Sequence, residues 1–145
     1  MNSLINVNVI FCEKYDSETN SYTNLFDNMK LEGLSIDGFD MIILTNRVAD
    51  IRCKIQAFFC KMKESENEVD HTVFFTEFEI PEKKGTSVHN TESFISHIDI
   101  DNMKEKGLYK ALVFAKIIDG ESDTDDNEIL GDDYHMVSNI NLIVK

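Results

Sequence analysis

Apolar and polar residues alternate with a period of two along most of this 145-residue chain, and no long segment shows a 3.6-residue period. In "INVNVIF", Ile5, Val7, Val9 and Phe11 share one face, and Asn6 and Asn8 lie on the other. Successive side chains of a strand point to opposite faces, so this pattern makes a half-buried strand and cannot make a helix stripe. "SYTNLFDNM" returns after the polar turn "DSETNSY", which predicts a first hairpin. "FDMIILTNR" is a short apolar run suited to a strand covered on both faces. "DIRCKIQAFFCKMK" sets Ile51, Cys53, Ile55, Ala57 and Phe59 against Arg52, Lys54 and Gln56. "HTVFFTEFEI" follows and ends at Pro81, which cannot donate to a sheet ladder.

The second half continues the pattern. "SFISHIDI" alternates, and "DIDNMKEKG" reads as one helical turn, capped by Asp99 or Asp101 and ended by Gly107. "LYKALVFAKII" aligns Tyr109, Ala111, Val113, Ala115 and Ile117. "HMVSNINLIV" aligns Met136, Ser138, Ile140, Leu142 and Val144. Seven or eight strands with turn signals between them predict an all-β fold: one antiparallel β-sandwich over residues 1–145, with at most one or two short helical turns. A partly open β-barrel is the alternative. A chain of this length buries roughly 70% of its unfolded surface, so the core needs neither metal nor disulfide.

Two segments carry a resemblance. "SYTNLFDNMKLEGL" resembles the early segment of a group of small uncharacterised proteins from bacteria and mobile elements. "DIDNMKEKGLYKALVFAKI" resembles the Gly-x-Tyr approach to a late strand in immunoglobulin-like sandwiches, with Gly107 and Tyr109 in the motif positions. The resemblance implies an immunoglobulin-like sandwich. It implies no activity, because a shared fold does not supply one. The segment before the last strand departs from the pattern by its length and acidity.

That segment, "DGESDTDDNEILGDD" at 119–133, has eight acidic residues and no Lys or Arg. Asp123, Asp125 and Asn127 match the opening of an EF-hand loop, but Glu128 stands where the turn needs Gly and Tyr134 where the ion needs a bidentate Glu. The segment therefore reads as a solvated loop whose charges extend it. Its candidate function is docking on a basic partner surface, through Asp119, Asp123, Asp125, Asp126, Asp132 and Asp133. A looser calcium site at the sandwich end is the alternative.

Net charge is −13, from 27 acidic and 14 basic residues. Such a surface repels phosphates, which argues against direct nucleic-acid binding and against anionic membranes. No apolar run is long enough to span a bilayer, and the start of the chain lacks the basic residues of a signal peptide. Cys12, Cys53 and Cys60 sit inside apolar segments with no Cys-x-x-Cys pair, so they read as reduced, buried thiols of a cytoplasmic protein. His71, His89, His97 and His135 show no metal-ligand spacing, so neither a metal nor a cofactor is expected. There is no Gly-x-Ser-x-Gly elbow, no phosphate-cradling glycine motif and no nucleophile beside a base, which predicts no catalytic residues. Arg47, Arg52, Lys54, Lys61 and Lys63 cluster around one strand, and pairing with Glu77 and Glu79 across to a neighbouring strand is the expected use of the cluster.

The expected function is a non-catalytic cytoplasmic interaction module, an acidic sandwich that binds another protein. An inhibitor from a phage or mobile element is one specific form. A calcium- or small-ligand-binding sandwich is the alternative.

Overall fold

A computed structural model describes residues 5–31, 37–47, 52–80, 91–118, 129–131 and 133–145. Nine strands form among them: β1 (Ile5–Asp16), β2 (Ser21–Phe26), β3 (Asn28–Met29), β4 (Gly38–Arg47), β5 (Cys53–Met62), β6 (Val69–Ile80), β7 (Thr91–Asp99), β8 (Gly107–Ile117) and β9 (His135–Val144). They make two sheets, β2-β1-β4-β7 and β3-β9-β8-β5-β6, so the fold is an all-β sandwich. All pairings are antiparallel except that of β3 with β9. The inward faces meet in one core. Phe11, Phe39 and Phe59 form an aromatic triangle with ring centroids 5.7 to 5.9 Å apart, and Tyr109 stacks on Phe59 at 5.5 Å.

The expected hairpin forms, with Phe11 opposite Phe26 and Asp16 opposite Ser21. It is shorter than the pattern suggests. The returning strand breaks at Asp27, and Met29 crosses to the other sheet to lie beside Val144. The backbone bonds follow it: Ile143 N donates to Asp27 O and Lys145 N to Met29 O. The sequence pattern predicts seven or eight strands, and this transfer makes β3 an additional short one and buries Met29.

The helical turn is also smaller than expected. It is a three-residue 3-10 turn over Ile100–Asn102, and Asp99 makes no side-chain cap bond. The chain leaves it at Met103, which is buried, while Gly107 opens β8 rather than closing a helix. Gly107 has φ +134°, which requires glycine, and a Cβ there would also stand a tight 3.0 Å from Lys61 Cε.

A bulge corrects the reading of β9. Val113 pairs with Ser138 and Phe114 with Met136, so Val137 is the extra residue. Alternation alone sets Met136 inward with Ser138. The bulge turns Met136 out to 46% exposure and packs Val137 against the core.

Candidate functional site

β5 sits between β6 and β8, so it is an inner strand and its basic residues do not guard a sheet edge. Its inward residues Cys53, Ile55, Ala57 and Phe59 are buried as expected. The outward positions are not an open basic stripe. Arg52 Nε pairs with Glu79 Oε1, and Lys54 Nζ lies 3.5 Å from Glu77 Oε1. The two expected acidic partners on β6 thus take the two expected cations. Lys61 falls on the inward parity and is buried; its Nζ donates to Met62 O at 2.6 Å and lies 6.0 Å over the Tyr109 ring. Lys63 pairs with Glu68 at 3.2 Å in the turn, and Arg47 ends β4 on the other sheet.

Beside these pairs the outward face carries an aromatic cluster, with Lys110, Asn139 and Asn141 as polar neighbours. Phe58 packs on Phe75 at 4.9 Å and on Phe114 at 5.8 Å between ring centroids. Cross-strand register places Phe75, Phe58 and Leu112 in one row and Glu77, Gln56, Phe114 and Met136 in the next. Phe75 is 38% exposed and Met136 46%. Ile143, beyond them on β9, is exposed as well.

The base of the acidic segment lies against the same face. Gln56 is fully buried; its Nε2 donates to Glu77 Oε2 at 2.6 Å, and its Oε1 accepts from Leu130 N at 2.9 Å. Tyr134 is buried with its ring 5.8 Å from Lys116 Nζ. Ile129 and Leu130 remain exposed. Of the expected docking carboxylates, Asp133 stands exposed beside Tyr134, whereas Asp119, Asp123, Asp125, Asp126 and Asp132 lie outside the described residues.

A second constellation lies on the outer face of the other sheet. One cross-strand row holds Leu25, Cys12, Asp40 and His97. The Asp40 carboxylate accepts from Tyr15 N at 2.8 Å, and its other oxygen is 2.9 Å from His97 Nδ1. His97 Nε2 is 3.5 Å from Asp99 Oδ1. Burial pushes the Cys12 thiol up from its ordinary value, and the Asp40 charge adds to the shift. Cys12 is fully buried, so the row holds a protonated, inaccessible thiol and not a nucleophile. The sequence gives no hint of this row, because only the register of four strands assembles it.

Among the described residues no three His, Cys, Asp or Glu side chains converge to hold a metal ion. His71 lies 3.2 Å from Asp70, His135 is exposed at the start of β9, and His89 lies outside the described residues. A cavity of about 650 Å³ opens where the ends of β5 and β8 meet, beside Lys61, Glu105 and Gly107. Its rim mixes both signs of charge. No helix among the described residues is long and apolar enough to cross a membrane.

No family model matches the sequence, and no curated protein matches it. Among solved structures, the chain is similar to a beta-glucosidase from Listeria innocua in complex with isofagomine, at 10% identity and a TM-score of 0.46. The likeness covers 97% of this chain but only 16% of the enzyme's, and it assigns no chemistry here.

Proposed function

We propose that this chain is a non-catalytic protein-interaction module that docks a partner on the outer face of its five-stranded sheet. The observation that carries the reading is the outward cluster of Phe58, Phe75, Phe114 and Met136. Aromatic residues and Met are the types enriched at protein interfaces, and a few such anchors supply most of the binding energy. The cluster is next to the base of the acidic segment. Carboxylates there would steer a basic partner toward the face and raise the association rate more than the affinity.

The sandwich type we propose is immunoglobulin-like. Strand orders β1-β4-β7 and β9-β8-β5-β6 follow the A-B-E and G-F-C-C′ arrangement of that architecture. Tyr109 supports it: near the start of β8 its hydroxyl donates to Glu105 O at 2.7 Å, four residues upstream, as in a tyrosine corner. The free, buried Cys12, Cys53 and Cys60 support a reducing compartment such as the cytoplasm.

Affinity capture with three baits tests the function. The wild type should retain a partner that Phe75→Ser combined with Met136→Ser loses. A bait with Asp123, Asp125, Asp126, Asp132 and Asp133 changed to Asn should bind the same partner with slower association and a weaker salt dependence. The same proteins on all three baits would remove the face from consideration. A melting temperature raised by calcium would favour the ligand-binding alternative instead.

A further inference from the structure

We propose that β6 is a docking edge that takes an extended, basic segment of the partner by antiparallel strand addition. This rests on the reading of the five-stranded outer face as an interaction surface, and it names the partner's chemistry.

The edge is long, and over Phe74–Ile80 it has neither a bulge nor a basic residue. Among the described residues β6 pairs with β5 alone. Sheet proteins guard exposed edges with lysines, prolines, bulges or short strands. The twelve residues of β6 contain no Lys, Arg, Pro or Gly. Bulges do occur, since Phe59 pairs with Phe74 but Cys60 with Thr72, and Lys61 with His71 but Met62 with Val69. The extra residues are therefore Val73 and Asp70, both in the first half of the strand. Phe74 to Ile80 keeps an unbroken register with Phe59 to Cys53.

The sheet's own pairing pattern sets what the next strand must carry. On the outer face β6 presents Phe75, Glu77 and Glu79 at alternate positions. On the β5 side these meet Phe58, Gln56 with Lys54, and Arg52. Glu77 and Glu79 keep 34% and 42% side-chain exposure, so a second cation can approach each from the open side. The complementary strand, read in its own direction, is basic-x-basic-x-aromatic, opposite Glu79, Glu77 and Phe75. Its intervening residues fall on the face of Phe78, Thr76 and Phe74 and are apolar or β-branched. Main-chain hydrogen bonds provide affinity in this mode, and the alternate side chains provide selectivity. A second copy of this chain fits poorly, because each copy carries a net charge of −13.

The test uses the full chain and a synthetic peptide, Thr-Lys-Val-Lys-Val-Phe-Val-Thr. Binding is read by fluorescence anisotropy and the site by amide hydrogen exchange. The peptide should bind and slow exchange at amides within Phe74–Ile80. A scrambled peptide with adjacent lysines, and one N-methylated at alternate amides, should each bind about tenfold more weakly or worse. Glu77→Gln with Glu79→Gln should weaken the parent peptide and leave the N-methylated one unchanged. Absence of binding, equal binding of the N-methylated or scrambled peptide, or protection away from β6 would each overturn the proposal. So would a homodimer dissolved by Phe75→Thr, because the edge would then belong to a second copy. A captured partner lost with Met136→Ser that leaves β6 exchange unchanged sinks strand addition alone. Peptide binding with no partner that depends on the face sinks the broader reading instead.

Discussion

Tyr109 joins three interactions in one side chain: its ring stacks on Phe59, lies 6.0 Å from the buried Lys61 ammonium, and ends in the bond to Glu105 O. Tyr109→Phe removes only the last and should cost about 1 kcal/mol in urea unfolding. Tyr109→Ala leaves a cavity as well and should cost about 3–5 kcal/mol. The thiols make a prediction about pH. Burial raises the Cys12 and Cys60 thiols above the ordinary value of 9.0, and it raises the Tyr109 phenol above 10.0. The folded chain then holds protons that the unfolded chain has already released, so unfolding is favoured as pH rises. The contribution of these groups to stability should be constant below the ordinary thiol value and fall above it. Replacing Cys12 and Cys60 with Ala should flatten that fall in melting temperature, even if it lowers stability at neutral pH. Gln56 is the other residue to test. Gln56→Leu removes the bonds to Leu130 N and Glu77 Oε2, leaving Glu77 only its Lys54 pair, and should destabilise by about 1–3 kcal/mol.

At the scale of elements, strands differ in how much of themselves the sequence reveals. β1 and β8 alternate cleanly, and their inward residues Val9, Phe11, Tyr109, Ala111 and Val113 are buried. β5 alternates too, yet Gln56, Cys60 and Met62 of its other face are also buried, and over Gln56 the turn at Leu130 supplies part of the cover. Composition says that a residue is polar; it does not say what will sit on top of it. The bulge at Val137 shows the second limit. One inserted residue reverses the facing of everything before it, and nothing in "HMVSNINLIV" marks where the insertion falls. Glycine positions are testable at this scale. Gly38 opens β4, where a Cβ would come 2.5 Å from both His97 Nε2 and Ile98 O. Gly38→Ala therefore collides with backbone, and Gly107→Ala combines a tight contact with a φ that L-residues avoid. Each should lower the melting temperature by several degrees, and Gly107→Asn should be no milder than Gly107→Ala, because asparagine's tolerance of positive φ is confined to the left-handed helical region, far from +134°.

For the whole molecule, connectivity carries the consequences. β1 pairs with β4, β4 with β7 and β5 with β8, so most pairings join segments far apart in sequence. Loop closure must precede the contacts that reward it, which places refolding in the slow range, about milliseconds to seconds. Refolding already complete within the dead time of stopped-flow mixing would contradict this topology. Charge also acts at this scale. With −13 net charge, self-repulsion weakens the compact state, so moderate salt should raise the melting temperature slightly even though it screens the Arg52–Glu79 and Lys54–Glu77 pairs. Removing either pair by Glu→Gln should cost under about 1 kcal/mol.

The all-β class and most of the strand faces were written in local alternation, because a strand's two faces are a property of neighbouring residues alone. The pairing of Arg52 and Lys54 with Glu77 and Glu79 was legible for a related reason: strands joined by one turn lie side by side, and the two bulges between the turn and these residues together leave the outward parity unchanged. The outward aromatic cluster, the Asp40–His97 row and the edge position of β6 among the described residues were not legible. Phe58, Phe75 and Phe114 come from three strands, and any of them reads in sequence as one more core phenylalanine. Only strand order decides which sheet face they occupy, which strand lies at the edge, and which residues the solvent, or a partner, can reach.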